Sequence, residues 1–147
     1  MLHHISFAVA DLERSAVFYD AALQTLGYVR VWSDVRPGEE NQAIGYGRPG
    51  SGDNFAIKLA SGTQSAPGPG FHLAFAAPSR QAVDDFHRKA LAVGGRDNGG
   101  PGLRLRYGPN YYAAFVVDPD GYRVEAVCDE PIFTLPAVGP PAQQASS

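Results

Sequence analysis

Along residues 3–9 bulky apolar side chains alternate with small or polar ones, the period-two signature of a strand with one buried face. From Leu12 the spacing changes. Leu12, Ala16, Tyr19 and Leu23 recur at helical intervals behind Asp11, a residue type that caps helix N-termini, and Gly27 supplies a stop. Sixty-eight positions later the plan returns: His4 meets His72, Phe7 meets Phe75, Phe18 meets Phe86, Ala22 meets Ala90 and Gly27 meets Gly95. In this second copy Ser79 takes the capping place, Val83, Phe86, Ala90 and Val93 form the apolar stripe, and Gly94 and Gly95 end it. Internal repetition is therefore the main feature of the chain.

Further strands are predicted after each helix: YVRVWSD, AIGYG and NFAIKLA in the first half, YYAAFVV and YRVEAV in the second. Asp118-Pro119-Asp120-Gly121 between the last two has the residues of a tight turn and predicts a hairpin. The loop GGRDNGGPGLRLRYGPN is expected to replace one regular strand with a mobile segment. The chain thus divides into a first half at 1–61, a Gly/Pro/Ser linker at 62–70, a second half at 71–130 and an aperiodic, flexible tail at 131–147. The whole is one domain's worth of sequence, 147 residues, long enough to bury a core without staples.

Composition narrows the partners. With 12 Lys plus Arg against 15 Asp plus Glu, the net charge of -3 argues against nucleic-acid or anionic-membrane surfaces. No run approaches the ~18 apolar residues of a membrane span. The single cysteine, Cys128, cannot form an intramolecular disulfide and reads as a small strand hydrophobe, so a cytoplasmic, soluble protein is expected.

Alternation assigns faces. Ile5, Phe7 and Val9 oppose His4, Ser6 and Ala8; Phe71, Leu73 and Phe75 oppose His72, Ala74 and Ala76. Phe55, Ile57 and Leu59 oppose Ala56, Lys58 and Ala60, while Tyr122, Val124 and Ala126 oppose Arg123, Glu125 and Val127. Four strands thus each carry an ionisable group, His4, Lys58, His72 or Glu125, the last with Arg123 beside it, on a face of mainly small side chains. Dense interiors do not leave such a face empty, so it predicts a cavity. Aligning NFAIKLA with GYRVEAV makes Lys58 and Glu125 equivalent positions of the repeat. Two imidazoles and a carboxylate on one face would make a triad of metal ligands with coordination positions open to water or substrate. Tyr46, Tyr111, Tyr112 and Arg123 are further candidates for lining the cleft and binding substrate, with at most one of Tyr111 and Tyr112 on the cleft side. Trp32 is placed at a sheet edge or a dimer contact, with no assigned role.

HHISFAVADLERSAVFY, FHLAFAA and above all FVVDPDGYRVEAV resemble the vicinal oxygen chelate superfamily of glyoxalases, bleomycin-resistance proteins and extradiol dioxygenases. The resemblance covers roughly residues 3–128 and implies an α+β fold: two βαβββ modules forming a curled mixed sheet around a cleft, a divalent metal (Fe, Mn, Ni or Zn) and a homodimer. It puts His4, His72 and Glu125 on metal-ligand positions. Glyoxalases add a fourth ligand, commonly Glu or Gln, from the first module's last strand, where this alignment has Lys58. The expectation is a glyoxalase-like enzyme of lyase or isomerase type acting on a small oxygen-chelating molecule, the metal serving as Lewis acid, with Lys58 and Glu125 as catalytic groups and Lys58 as general base. The alternatives are a metal-free binding protein of bleomycin-resistance type, in which Lys58 pairs with Glu125, and an extradiol-type dioxygenase, which would need a further acid-base histidine from His3 or His87.

Overall fold

The computed structural model describes residues 1–60, 62 and 66–132. The expected flexible tail therefore lies almost wholly outside the described residues, as does part of the linker. The first half comprises β1 (Ile5–Val9), α1 (Leu12–Gln24), β2 (Val29–Asp34), β3 (Ala43–Gly47) and β4 (Phe55–Leu59). The second comprises β5 (Leu73–Ala76), α2 (Arg80–Ala92), β6 (Arg96–Asp97), β7 (Gly102–Leu103), β8 (Tyr112–Val117) and β9 (Arg123–Cys128). Both predicted caps form: Asp11 accepts from Arg14 N and Ser79 from Ala82 N, each satisfying an otherwise orphaned helical donor. Gly27 and Gly94 follow the helices at φ 85° and 98°, a left-handed conformation that glycine adopts without penalty.

Each half makes one mixed sheet. The first runs β1-β4-β3-β2 and the second β5-β9-β8, with β6 and β7 both on the outer edge of β8. The leading and last strands of each half pair in parallel, β1 with β4 and β5 with β9, and the other pairs are antiparallel. The glycine-rich loop does not abolish the strand predicted as lost but cuts it into two-residue pieces: Gly99 sits at φ 138°, outside strand geometry, and divides β6 from β7. The fold is α+β with two mixed sheets and no closed barrel. Among the described residues no helix is long and apolar enough to cross a membrane.

The bulky faces of both sheets and the two helices share one core. Phe7 of β1 stacks on Tyr122 with centroids 4.0 Å apart, and Phe55 of β4 meets Phe75 of β5 edge-on at 5.4 Å, so aromatic contacts tie the halves together. The turn before β9 ties them further. Asp118 accepts from Tyr19 Oη of α1 at 2.6 Å, and Asp120 accepts from Ala10 N at 3.0 Å and Ser15 Oγ at 2.7 Å. The second half thus caps the first helix of the first half.

Close approach at Gly95 makes a direct test of this packing. A Cβ there would stand 2.7 Å from the Ala90 carbonyl oxygen and 2.8 Å from the Phe18 ring, with backbone on one side and core on the other. Gly95→Ala is expected to destabilise by about 2 kcal/mol through overpacking, read as a lower urea midpoint at unchanged slope.

Candidate functional site

Along β9 the side chains of Val124, Ala126 and Cys128 enter the core, which leaves Arg123, Glu125 and Val127 on the opposite face. Glu125 is nevertheless only 1% exposed. Its cross-strand partner on β5 is Ala74, whose methyl leaves room above it, and on β8 it is Phe115. His72, one residue before β5, brings Nε2 to 3.0 Å from Glu125 Oε2 with its side chain 52% exposed. The other carboxylate oxygen accepts a 2.6 Å hydrogen bond from Tyr111 Oη. Burial, followed by that bond to Glu125, pushes the Tyr111 hydroxyl well above the usual phenol range, so it stays protonated and donating at neutral pH. A buried carboxylate is thereby fixed at one oxygen and aimed at an exposed imidazole with the other.

The remaining candidates divide between the faces. Tyr111 is the cleft-side member of its pair. Tyr112 lies on the helix side, bonded to Asp84 Oδ1 of α2 at 2.7 Å with the Arg80 guanidinium over its ring. Tyr46 departs from the expectation of a cleft-lining residue. It alternates with Gly45, is buried against Tyr19 and Phe55, and gives its hydroxyl to Asp20 of α1, because its strand neighbour is Phe55 on the core face. Arg123 shares the face of Glu125, level with Val117. His4 sits one residue before β1, exposed, with Nδ1 2.8 Å from His3 Nδ1. It does not join His72 and Glu125 within the chain: no three His, Cys, Asp or Glu side chains converge as a metal site among the described residues. His87 of α2 is bound to Asp97 at 2.9 Å and His3 to its neighbour, so neither stands beside the His72–Glu125 pair.

The family pattern described as the Glyoxalase/Bleomycin resistance protein/Dioxygenase superfamily matches residues 1–126. The chain belongs to that superfamily. A solved structure described as a glyoxalase/bleomycin resistance protein from Albidiferax ferrireducens T118 is 35% identical, with a TM-score of 0.65 over 84% of this chain and 94% of that one. The uncharacterized protein YqjT of Bacillus subtilis is 31% identical over 86% of this chain and 97% of its own length. A glyoxalase I mutant from Zea mays shares the fold at 22% identity and a TM-score of 0.66, this chain spanning 45% of its length.

The superfamily often uses a divalent metal, and the second half fits one. Two ligand atoms each about 2.1 Å from an ion and at right angles to one another stand about 3.0 Å apart. His72 Nε2 and Glu125 Oε2 have that separation. The first half departs from the alignment used above. Glu125 lies level with Ala74, two residues after His72; the matching residue two after His4 is Ser6, and its partner on β4 is Ala56. Lys58 is level with Ala8 and Ala43, one pleat further on, exposed and not ion-paired with Glu125. The equivalence of Lys58 with Glu125 is therefore corrected: Ala56 is the register equivalent of Glu125, and Lys58 keeps only the predicted face. Beside Ala56 on β3 is Gly45, and the Trp32 indole lies where a Gly45 side chain would be.

Trp32, Phe115 and Arg104 are members of these faces that the sequence pattern did not select. Trp32 could be traced from its place in β2, but Arg104 stands in an aperiodic loop whose only signal is the alternation of Leu103 and Leu105 with Arg104 and Arg106.

Proposed function

We propose that the chain is a metal-dependent enzyme of glyoxalase-like type that works as a homodimer on a small, oxygen-chelating substrate. The observation that carries this reading is the His72–Glu125 pair: a buried carboxylate, restrained by Tyr111, beside an exposed imidazole at the spacing of neighbouring metal ligands. The third ligand is proposed to be His4 of the partner subunit. Support comes from the free lateral edges of β1 and β5, each of which is paired on one side only, and from the failure of His4 to converge with the pair in its own chain. Bound there, Fe, Mn, Ni or Zn would supply a Lewis acid for two substrate oxygens. With alanine at position 56, the protein contributes three ligands and leaves the remaining positions to the substrate. Tyr111 keeps Glu125 oriented. Lys58, exposed on the first sheet's open face, is the group proposed to exchange a proton with the substrate from the opposite wall. The metal-free alternative with a Lys58–Glu125 ion pair is less well supported, because Tyr111 and His72 already occupy both oxygens of Glu125.

The test is elemental analysis of protein purified without added metal, before and after chelator, combined with sedimentation. About one equivalent of a first-row metal per chain is expected, falling by most of its value in His4→Ala, with the protein sedimenting as a dimer at micromolar concentration. Protein that takes up no divalent ion when titrated would overturn the reading, as would a monomer that retains its metal.

A further inference from the structure

The loop that interrupts the second sheet returns over the open face. Leu103 pairs with Tyr112, and Arg104 N continues the ladder to Tyr111 O at 2.8 Å, so Arg104 and Tyr111 are neighbours on one face. From there the Arg104 side chain folds back across glycines. A Cβ on Gly102 would stand 3.0 Å from Arg104 Nη1, and one on Gly99 would stand 3.2 Å from Phe115 and 3.5 Å from Arg104 Nη2. The bare backbone of Gly102 leaves the guanidinium space to lie over the Phe115 ring, 5.5 Å from its centroid, where Gly100 O accepts from Nη2 at 2.6 Å. Phe115 is the cross-strand partner of Glu125. A flat, preoriented cation is thus seated one strand away from the His72–Glu125 pair.

The seat has no acidic occupant from the chain itself. Arg14, Arg30, Arg36 and Arg88 each pair with a carboxylate, whereas Arg48, Arg80, Arg96, Arg104, Arg106 and Arg123 pair with none among the described residues, and of these Arg104 and Arg123 share the face of Glu125. Arg106 lies over Tyr107, whose ring is 5.3 Å from that of Tyr111, and Arg123 shares the face of Glu125. The acids near this face are Glu125, held by Tyr111 and His72, and Asp129, whose charge is felt at Tyr111. Of the five donors in the planar Arg104 fork, one on Nη2 goes to Gly100 O at 2.6 Å and one on Nη1 to Leu103 O at 3.5 Å, and a carboxylate is the partner that the remaining donors match.

We propose that the Arg104 seat binds a carboxylate of the substrate, so that the cleft takes a small acid with vicinal chelating oxygens at one end and a carboxylate at the other. The chelating end rests on the metal reading above; the acidic end does not. Arg106 and Arg123 add positive potential at the rim.

Two probes of one shape separate these parts: 3,4-dihydroxybenzoate and its neutral amide, 3,4-dihydroxybenzamide, titrated calorimetrically into the full-length chain, both Mn²⁺-loaded and chelator-treated. The acid is expected to bind about tenfold tighter than the amide in both forms, as a charge-assisted bidentate contact provides. Arg104→Gln should remove this preference while leaving amide affinity in place, and Arg104→Lys, which keeps charge without the fork, should restore part of it. Equal affinity for acid and amide in the wild type overturns the proposal, as does a preference that survives in Arg104→Gln or an acid that binds neither form. An acid preference in protein whose affinity for both probes ignores Mn²⁺ upholds the carboxylate seat while removing the metal reading.

Discussion

Replacing Asp118 with alanine is expected to cost about 3 kcal/mol of stability, a fall of roughly 10 °C in Tm for a chain of this size. Asp118 is 2% exposed and accepts from three donors: Tyr19 Oη at 2.6 Å, Asp120 N at 2.9 Å and Tyr122 N at 2.8 Å. Alanine leaves all three unmet, and Tyr19 is fully buried, so its hydroxyl has no route to water. Asparagine keeps one acceptor oxygen and should cost less than half as much. The pH dependence provides a second check. Burial raises the Asp118 carboxyl above the ordinary aspartate range, more than its hydrogen bonds lower it. A group whose folded-state pKa is raised contributes its full stability below the unfolded pKa and loses it as pH rises through the folded one. Wild type should therefore gain on Asp118→Asn as pH falls from 7 towards 4, measured by chemical denaturation of both proteins. A gap that widens in the other direction would show that the hydrogen bonds, not burial, dominate this carboxylate.

The second large effect concerns the first half's open face. Ala56→Glu is expected to raise divalent-metal affinity at least about tenfold, because a fourth ligand carboxylate adds both a donor and a negative charge. Lys58→Glu should change it by less than about threefold, since a residue one pleat away stands ~6–7 Å from the ligand row. Calorimetric titration of both variants with Mn²⁺, Ni²⁺ and Zn²⁺ decides the matter. A rise in Lys58→Glu without one in Ala56→Glu would restore the alignment taken from sequence and undo the register argument. The longer side chain introduced by Ala56→Glu must also pass the Trp32 indole beside Gly45, so that ring has to move aside for the gain to appear in full.

The contrast between Lys58 and Ala56 marks how far the sequence carries. Alternation tells which face a residue joins, and it did so for His72, Glu125, Lys58 and Arg123 from the chain alone. It does not tell which residues come level, because a slip of two leaves every side chain on its predicted face and moves it along the strand. The repeat offset, read through one loop residue of different length, slipped by that amount. Tyr46 failed for a different reason: in AIGYG the bulky Ile44 and Tyr46 oppose Ala43, Gly45 and Gly47, so alternation already puts Tyr46 on the core face, and only its polar hydroxyl suggested the cleft. For Tyr111 and Tyr112 the alternation rule sufficed to exclude one, and hydrogen bonds to Glu125 and Asp84 show which. The caps at Asp11 and Ser79 were legible because capping is local. The Arg104 seat was not, since it depends on how the loop at residues 99–104 folds back over Phe115 of β8.

The bonds that Asp118 and Asp120 accept from Tyr19 and Ala10, and that Tyr122 donates to Ala8 O, span 99 to 114 positions of sequence. On the ribosome, where about 5–20 residues are added per second, the first helix therefore leaves the exit tunnel roughly 5–20 s before the groups that finish its N-terminus emerge in turn. Until then the donors at Ala10 and Ser15 and the hydroxyl of Tyr19 face water. The early half waits for its closing pieces, which arrive with the turn between β8 and β9.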